Sequence, residues 1–92
     1  MIKRIVLKIY GEVHGVSFRY YTQQKARSLN LIGWVRNEPD GTVKIMAEGE
    51  EKNLKKLVDW CYNGVRFAKV DKVEVKWEEA SGEFKEFEIK YD

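Results

Sequence analysis

Ile5-Val6-Leu7-Lys8-Ile9-Tyr10-Gly11-Glu12-Val13-His14-Gly15-Val16-Ser17-Phe18-Arg19 is the stretch from which the fold of this chain is read. Ile5, Leu7 and Ile9 alternate with Val6, Lys8 and Tyr10, a period of two that predicts a strand with its odd-numbered face on the core. From Phe18 the period changes. Phe18, Thr22, Ala26 and Leu29 recur at spacings of four, four and three residues, which lines them along one side of a helix. Gly11 and Gly15 stand between strand and helix, and Arg19 falls at the helix start. Glycine permits positive φ and close backbone approach, so successive N–H groups of such a turn can converge on one oxyanion, joined by the free N–H groups of the helix's first turn. Arg19 adds a planar, permanently charged fork. The run reads as an anion-binding loop that begins at Gly11. A strand-to-helix turn uses glycine with or without a ligand, so the spacing alone leaves both readings open.

Outward from this stretch the other elements follow. Asn30 can take the left-handed conformation that ends the helix. Leu31 to Asn37 and Val43 to Glu48 are rich in β-formers and flank Glu38-Pro39-Asp40-Gly41, in which proline fixes one φ and glycine supplies a positive one, as in a hairpin turn. A second helix begins near Glu50, with Leu54, Leu57, Val58 and Cys61 as its buried stripe and Asn63-Gly64 as its stop. Val70, Val73, Val75 and Trp77 predict another strand. Phe87, Ile89 and Tyr91 predict a last one after the turn Ala80-Ser81-Gly82. The order βαββαβ plus a terminal strand favours an α+β sandwich with helices on one face of an antiparallel sheet. Trp34, Trp60 and Trp77 are expected in core or sheet packing, because each lies within a strand or helix pattern.

Ninety-two residues make one domain, spanning residues 1–92, with a single two-layer core and no room for a separate cofactor domain. The apolar residues are dispersed, with no run of about 20 to span a bilayer, and the alternating start at Ile2 lacks the pattern of a secretory signal, so a soluble cytoplasmic monomer is the expectation. Cys61 is the only cysteine and His14 the only histidine, which excludes an intrachain disulfide and a structural zinc site of the usual ligands. The net charge of +2 is spread along the chain without a basic block, so nucleic acid is not the expected partner. No nucleotide-binding lysine loop and no carboxylate cluster for magnesium is found, and no cofactor is expected.

A second run, Gly33-Trp34-Val35-Arg36-Asn37-Glu38-Pro39-Asp40-Gly41-Thr42-Val43, follows one helix after the first. Together the two runs resemble the two signatures of the acylphosphatase family, and the resemblance extends from about Ile5 to Tyr91 with similar spacing. It implies a ferredoxin-like sandwich with the terminal strand at a sheet edge. It also implies metal-independent hydrolysis of an acyl phosphate to carboxylate and inorganic phosphate, with phosphate as product and competitive ligand. By the same resemblance the loop residues His14, Gly15, Val16, Ser17, Phe18 and Arg19 bind the phosphoryl group and Arg19 stabilises its oxygens. Asn37 orients the attacking water. The family more often has glutamine where this chain has His14, and other members carry prolines after the second helix where this chain reads Asn63-Gly64-Val65-Arg66-Phe67-Ala68.

The residues also support plainer readings. His14 is expected as a solvated side chain on a tight loop, the sharper alternative being an imidazole that adds pH dependence to phosphate binding. Ser17 suits a helix N-cap as well as a phosphate donor. Arg19 can pair with a surface carboxylate, and Asn37 can cap the hairpin. Cys61-Tyr62-Asn63-Gly64-Val65-Arg66 is one residue short of the Cys-x5-Arg loop of cysteine-dependent phosphatases, and its cysteine falls near a helix C-terminus, where the dipole opposes ionisation. A core residue is expected there. Two other functional classes compete with the enzyme: a single-stranded RNA module presenting Tyr10, Trp77 and Tyr91 on its sheet, and a carbamoyl-phosphate-handling domain of a larger maturation enzyme, against which a chain ending at Asp92 weighs.

Overall fold

In the computed structural model, which describes residues 1–91, the elements run β1 (Ile2–Glu12), α1 (Phe18–Ser28), β2 (Ile32–Asn37), β3 (Val43–Glu50), α2 (Glu51–Asn63), β4 (Lys69–Glu78) and β5 (Phe87–Lys90). The period-two face of β1 is buried as its pattern requires, with Ile5, Leu7 and Ile9 fully covered. In register with them on β3 stand Ala47, Ile45 and Val43, and beyond these on β2 stand Gly33, Val35 and Asn37. This is the face that α1 and α2 cover. α1 packs on β2 and β5, and α2 on β1, β3 and β4. Phe18, Ala26, Leu54, Leu57 and Cys61 point from the helices into that core.

The strand order is β4-β1-β3-β2-β5, antiparallel except for the β2–β5 pair. This is the two-layer α+β arrangement expected, with the terminal strand at an edge. β1 and β2 both run against β3, so they are parallel to each other, and β5 runs with β2. The carboxyl ends of β1, β2 and β5 therefore lie at the same end of the sheet. α1 closes as expected on Asn30, whose φ of 58° lets its own N–H bond to the Arg27 carbonyl and the Leu31 N–H to the Ala26 carbonyl.

Two expectations change. Gly11 does not open the loop: β1 continues to Glu12, and Gly11 sits at a bulge where β1 pairs with β4. Its φ is 131°, and a Cβ there would stand 2.0 Å from the Lys69 carbonyl oxygen, so this glycine serves sheet pairing. Trp77 is 42% exposed, because β4 is an edge strand that α2 covers only in part. Trp34 is buried, and Trp60 packs against Phe18 with ring centroids 6.1 Å apart.

The connection from β4 to β5 must cross the whole sheet, and it crosses the helix-free face. Glu48 points to that face and is nevertheless 1% exposed. Its carboxylate accepts bonds from Arg4 Nε at 2.8 Å, from the Ser81 N–H at 2.8 Å and hydroxyl at 2.9 Å, and from the Gly82 N–H at 3.1 Å. Burial alone pushes this carboxyl's pKa up, but the bonds from Ser81, Arg4 and Gly82 outweigh it and hold the pKa below the ordinary value.

Candidate active site

The loop between β1 and α1 is anchored at both ends by apolar burial, with Val13 before it and Phe18 after it in the core. Each fully buried side chain of this size contributes about 1.5–3 kcal/mol, enough to fix where the short segment between them must run. Gly15 turns at φ 72° in open space, and Ser17 also takes the left-handed conformation, at φ 61°. Ser17 occupies the N-cap position of α1, but its hydroxyl makes no capping bond, which corrects the cap expected from sequence. The first helical bond runs from the Tyr21 N–H to the Ser17 carbonyl. The N–H groups of Phe18, Arg19 and Tyr20 therefore precede the ladder, at a helix start whose first turn carries no acidic residue.

These groups open on a cleft of about 350 Å³. Val13, Gly15 and Ser17 line it from the loop, Phe18, Arg19 and Tyr20 from the start of α1, Asn37 from the end of β2, and Ile89 and Tyr91 from the end of the chain. Arg19 and Asn37, far apart in sequence, thus share one cleft. Among the described residues no carboxylate pairs with Arg19 in the way the plain reading supposed. The Arg19 Nη1 donates to the Lys90 carbonyl at 3.4 Å, and its guanidinium carbon lies 4.9 Å from the Tyr91 ring centroid. That long bond engages one nitrogen, and among the described residues no second hydrogen-bond partner meets the fork. Nor does Asn37 cap the hairpin. Asp40 does so, its Oδ1 accepting from the Thr42 N–H at 3.0 Å and hydroxyl at 2.6 Å. These bonds and Lys8, 3.0 Å away, hold the Asp40 carboxyl well below the usual carboxylate range.

Two residues proposed for the loop stand differently from the rest. The Val16 side chain packs against the core, so only its backbone is available to a ligand. His14 is exposed, as expected of a solvated loop residue, but its Nε2 also lies 2.8 Å from the Thr42 carbonyl oxygen, across on the β2–β3 hairpin. Sequence reasoning missed Tyr20, Ile89 and Tyr91 as site residues, since nothing in their spacing shows that β5 pairs in parallel with β2.

The alternatives lose their geometry. Tyr10 faces the helix-free side between Lys8 and Lys72, whereas Trp77 lies in register with Ile5 on the other side and Tyr91 stands over Arg19. The three aromatics make no common platform for bases. Cys61 is buried, and burial pushes its thiol up to about 12, which removes the nucleophile from the phosphatase-like run. A larger hollow of about 590 Å³ beside Trp77 is lined by Lys3 and Lys55 but also by Glu51, Glu78 and Glu79, a balance that repels rather than gathers a phosphate. Among the described residues no three His, Cys, Asp or Glu side chains gather as metal ligands, and no helix is long and apolar enough to cross a membrane.

Known proteins share the fold and the family pattern of this chain. The acylphosphatase family profile matches residues 5–89. The acylphosphatase of Acaryochloris marina is 54% identical over 81 residues, covering 88% of this chain and 86% of that one. The crystal structure of acylphosphatase from Bacillus subtilis superposes with a TM-score of 0.93 at 37% identity, covering 99% of this chain and all of that one. The acylphosphatase structure from Coxiella burnetii gives 0.90 at 31% identity, covering 97% and 93%. A shared fold and a match over nearly the whole chain lead to one conclusion: the chain belongs to the acylphosphatase family and is a hydrolase of acyl phosphates.

Proposed function

We propose that the phosphoryl group of the substrate sits at the loop, its oxygens bound by backbone N–H groups of His14, Gly15, Val16, Ser17 and Phe18 and by the Arg19 guanidinium, while Asn37 orients the attacking water. The observation that carries this reading is the single cleft lined by Gly15, Ser17, Phe18, Arg19 and Asn37. Positive groups converge there with no acidic residue in the helix's first turn. The water oxygen attacks phosphorus in line as the bond from phosphorus to the acyl oxygen breaks, and the carboxylate departs with the bonding pair. A water proton passes to a phosphate oxygen, so a dianionic acyl phosphate and water give carboxylate and dihydrogen phosphate.

The chemistry accounts for what the cleft lacks. The leaving group's conjugate acid has a pKa of about 4.3, so it needs no general acid at neutral pH. The Asn37 amide oxygen accepts a hydrogen bond and orients the water's lone pair without acting as a base, since asparagine has no useful pKa. Arg19 and the loop supply the charge stabilisation a divalent ion would otherwise bring, and the activity is metal-independent on this reading.

The test is hydrolysis of benzoyl phosphate followed by absorbance in EDTA, with inorganic phosphate as inhibitor. Arg19→Ala is expected to lose both phosphate inhibition and turnover, and Asn37→Ala to keep phosphate inhibition and lose turnover. Parent-like rates in both variants, or turnover that requires a divalent ion, would overturn the assignment.

A further inference from the structure

The geometry points to His14 as a positioning residue that sets the distance between the phosphate loop and Asn37, through its bond to the Thr42 carbonyl. This rests on the reading of Asn37 given above. The Thr42 carbonyl oxygen accepts two hydrogen bonds, one from the His14 imidazole at 2.8 Å and one from the Glu38 N–H at 2.8 Å. A carbonyl only accepts, so Nε2 carries the proton and the tautomer is fixed. Glu38 is the residue after Asn37. One side chain from the loop therefore grips the atom that closes the turn next to the water-orienting amide.

The two partners are held unequally. The loop is fixed by Val13 and Phe18, both in the core, and by its own backbone turns at Gly15 and Ser17. The hairpin tip at Pro39, Asp40 and Gly41 is exposed. Its ion pairs among the described residues are Arg36–Glu38 at 2.7 Å, within the hairpin itself, and the exposed Lys8–Asp40 pair at 3.0 Å, and neither reaches the phosphate loop. Loss of the imidazole is thus felt at the hairpin, and so at Asn37, more than at the phosphate. In-line attack is sensitive to such a shift, because an ångström of misplacement can cost about a hundredfold in rate.

The experiment compares His14→Ala, His14→Gln and Asn37→Ala with the parent chain, recording kcat on benzoyl phosphate, the inhibition constant of inorganic phosphate and the melting temperature. His14→Ala is expected to lose about tenfold or more in kcat, with phosphate inhibition close to the parent's. The His14→Gln amide can donate to the same carbonyl, and it is expected to restore most of that kcat. A parent-like kcat in His14→Ala overturns the proposal, as does a loss confined to phosphate affinity or a kcat that glutamine does not restore. Asn37→Ala separates the two levels. If it keeps turnover, the reading of Asn37 fails, whereas if it loses turnover while His14→Ala does not, only the bridge fails.

Discussion

Glu48→Ala tests how the crossing connection is held on the sheet, and its size follows from the contacts. The parent carboxylate is buried and accepts from four donors, at 2.8, 2.8, 2.9 and 3.1 Å. Removing one partner of a buried ionic pair costs about 3–5 kcal/mol, because the other charge is stranded. Here Arg4 keeps Glu83 at 3.0 Å and Glu78 at 3.5 Å, and Ser81 and Gly82 are exposed enough for water to reach their N–H groups. Those alternatives place the loss at the lower end, about 3 kcal/mol. A domain of this size shifts by about 4–8 °C per kcal/mol, so the melting temperature should fall by about 12–24 °C, read by circular dichroism. Glu83→Ala is the control, since Glu83 contacts the same Arg4 but stands exposed, and an exposed pair contributes about 1 kcal/mol or less. If the two variants melt at the same temperature, the argument from a buried acceptor is wrong.

The Glu48 carboxyl has a lowered pKa in the fold, so its contribution is present above the unfolded value of about 4.3 and is lost as pH falls through the lower folded value. Urea titrations of parent and Glu48→Ala should accordingly differ at neutral pH and converge in strong acid; a gap that widens on acidification would contradict the sign. Gly11→Ala should cost about 3 kcal/mol through strain at φ 131° and collision with Lys69, yet leave the phosphate affinity of folded protein unchanged. A selective loss of phosphate binding would return Gly11 to the anion cradle. Cys61 should resist thiol reagents in the native state and react fully in denaturant; rapid native-state labelling would show an accessible thiolate that its burial forbids.

What sequence revealed and what it hid divide along a physical line. Periodicity is local, so the faces of β1, α1 and α2 were readable from Ile5, Leu7 and Ile9, from Phe18, Thr22 and Ala26, and from Leu54, Leu57 and Cys61. The left-handed close at Asn30 was readable for the same reason. Gly11 was misassigned because a glycine needed for a neighbouring strand's backbone looks the same in sequence as one needed for a ligand. Trp77 was misassigned because alternation marks a face without saying whether a helix reaches far enough to cover it. Tyr91, Ile89 and the Lys90 carbonyl entered the cleft through parallel pairing between strands distant in sequence, and a short terminal strand carries no mark of its neighbour.

That pairing explains why a chain this small has a cleft. β1 and β2 are parallel but not adjacent. β3 lies between them, so their carboxyl ends stand about two strand spacings apart, roughly 9.6 Å. On the proposed reading this gap takes the phosphoryl group and the water, with the loop after β1 on one side and Asn37 on the other. Neither side chain alone encloses it. β5, parallel to β2 at the edge, brings the Lys90 carbonyl and the Tyr91 ring to the same end, where they hold the Arg19 guanidinium on one edge and one face. The connection that delivers β5 is the segment bonded to Glu48 across the helix-free face. Glu48 and Arg19 thus sit at opposite ends of one path through the chain, the carboxylate bonded to the connection and the guanidinium to the strand that it delivers. An apolar residue at position 48, though compatible with the alternation of β3, would leave that segment without its acceptor.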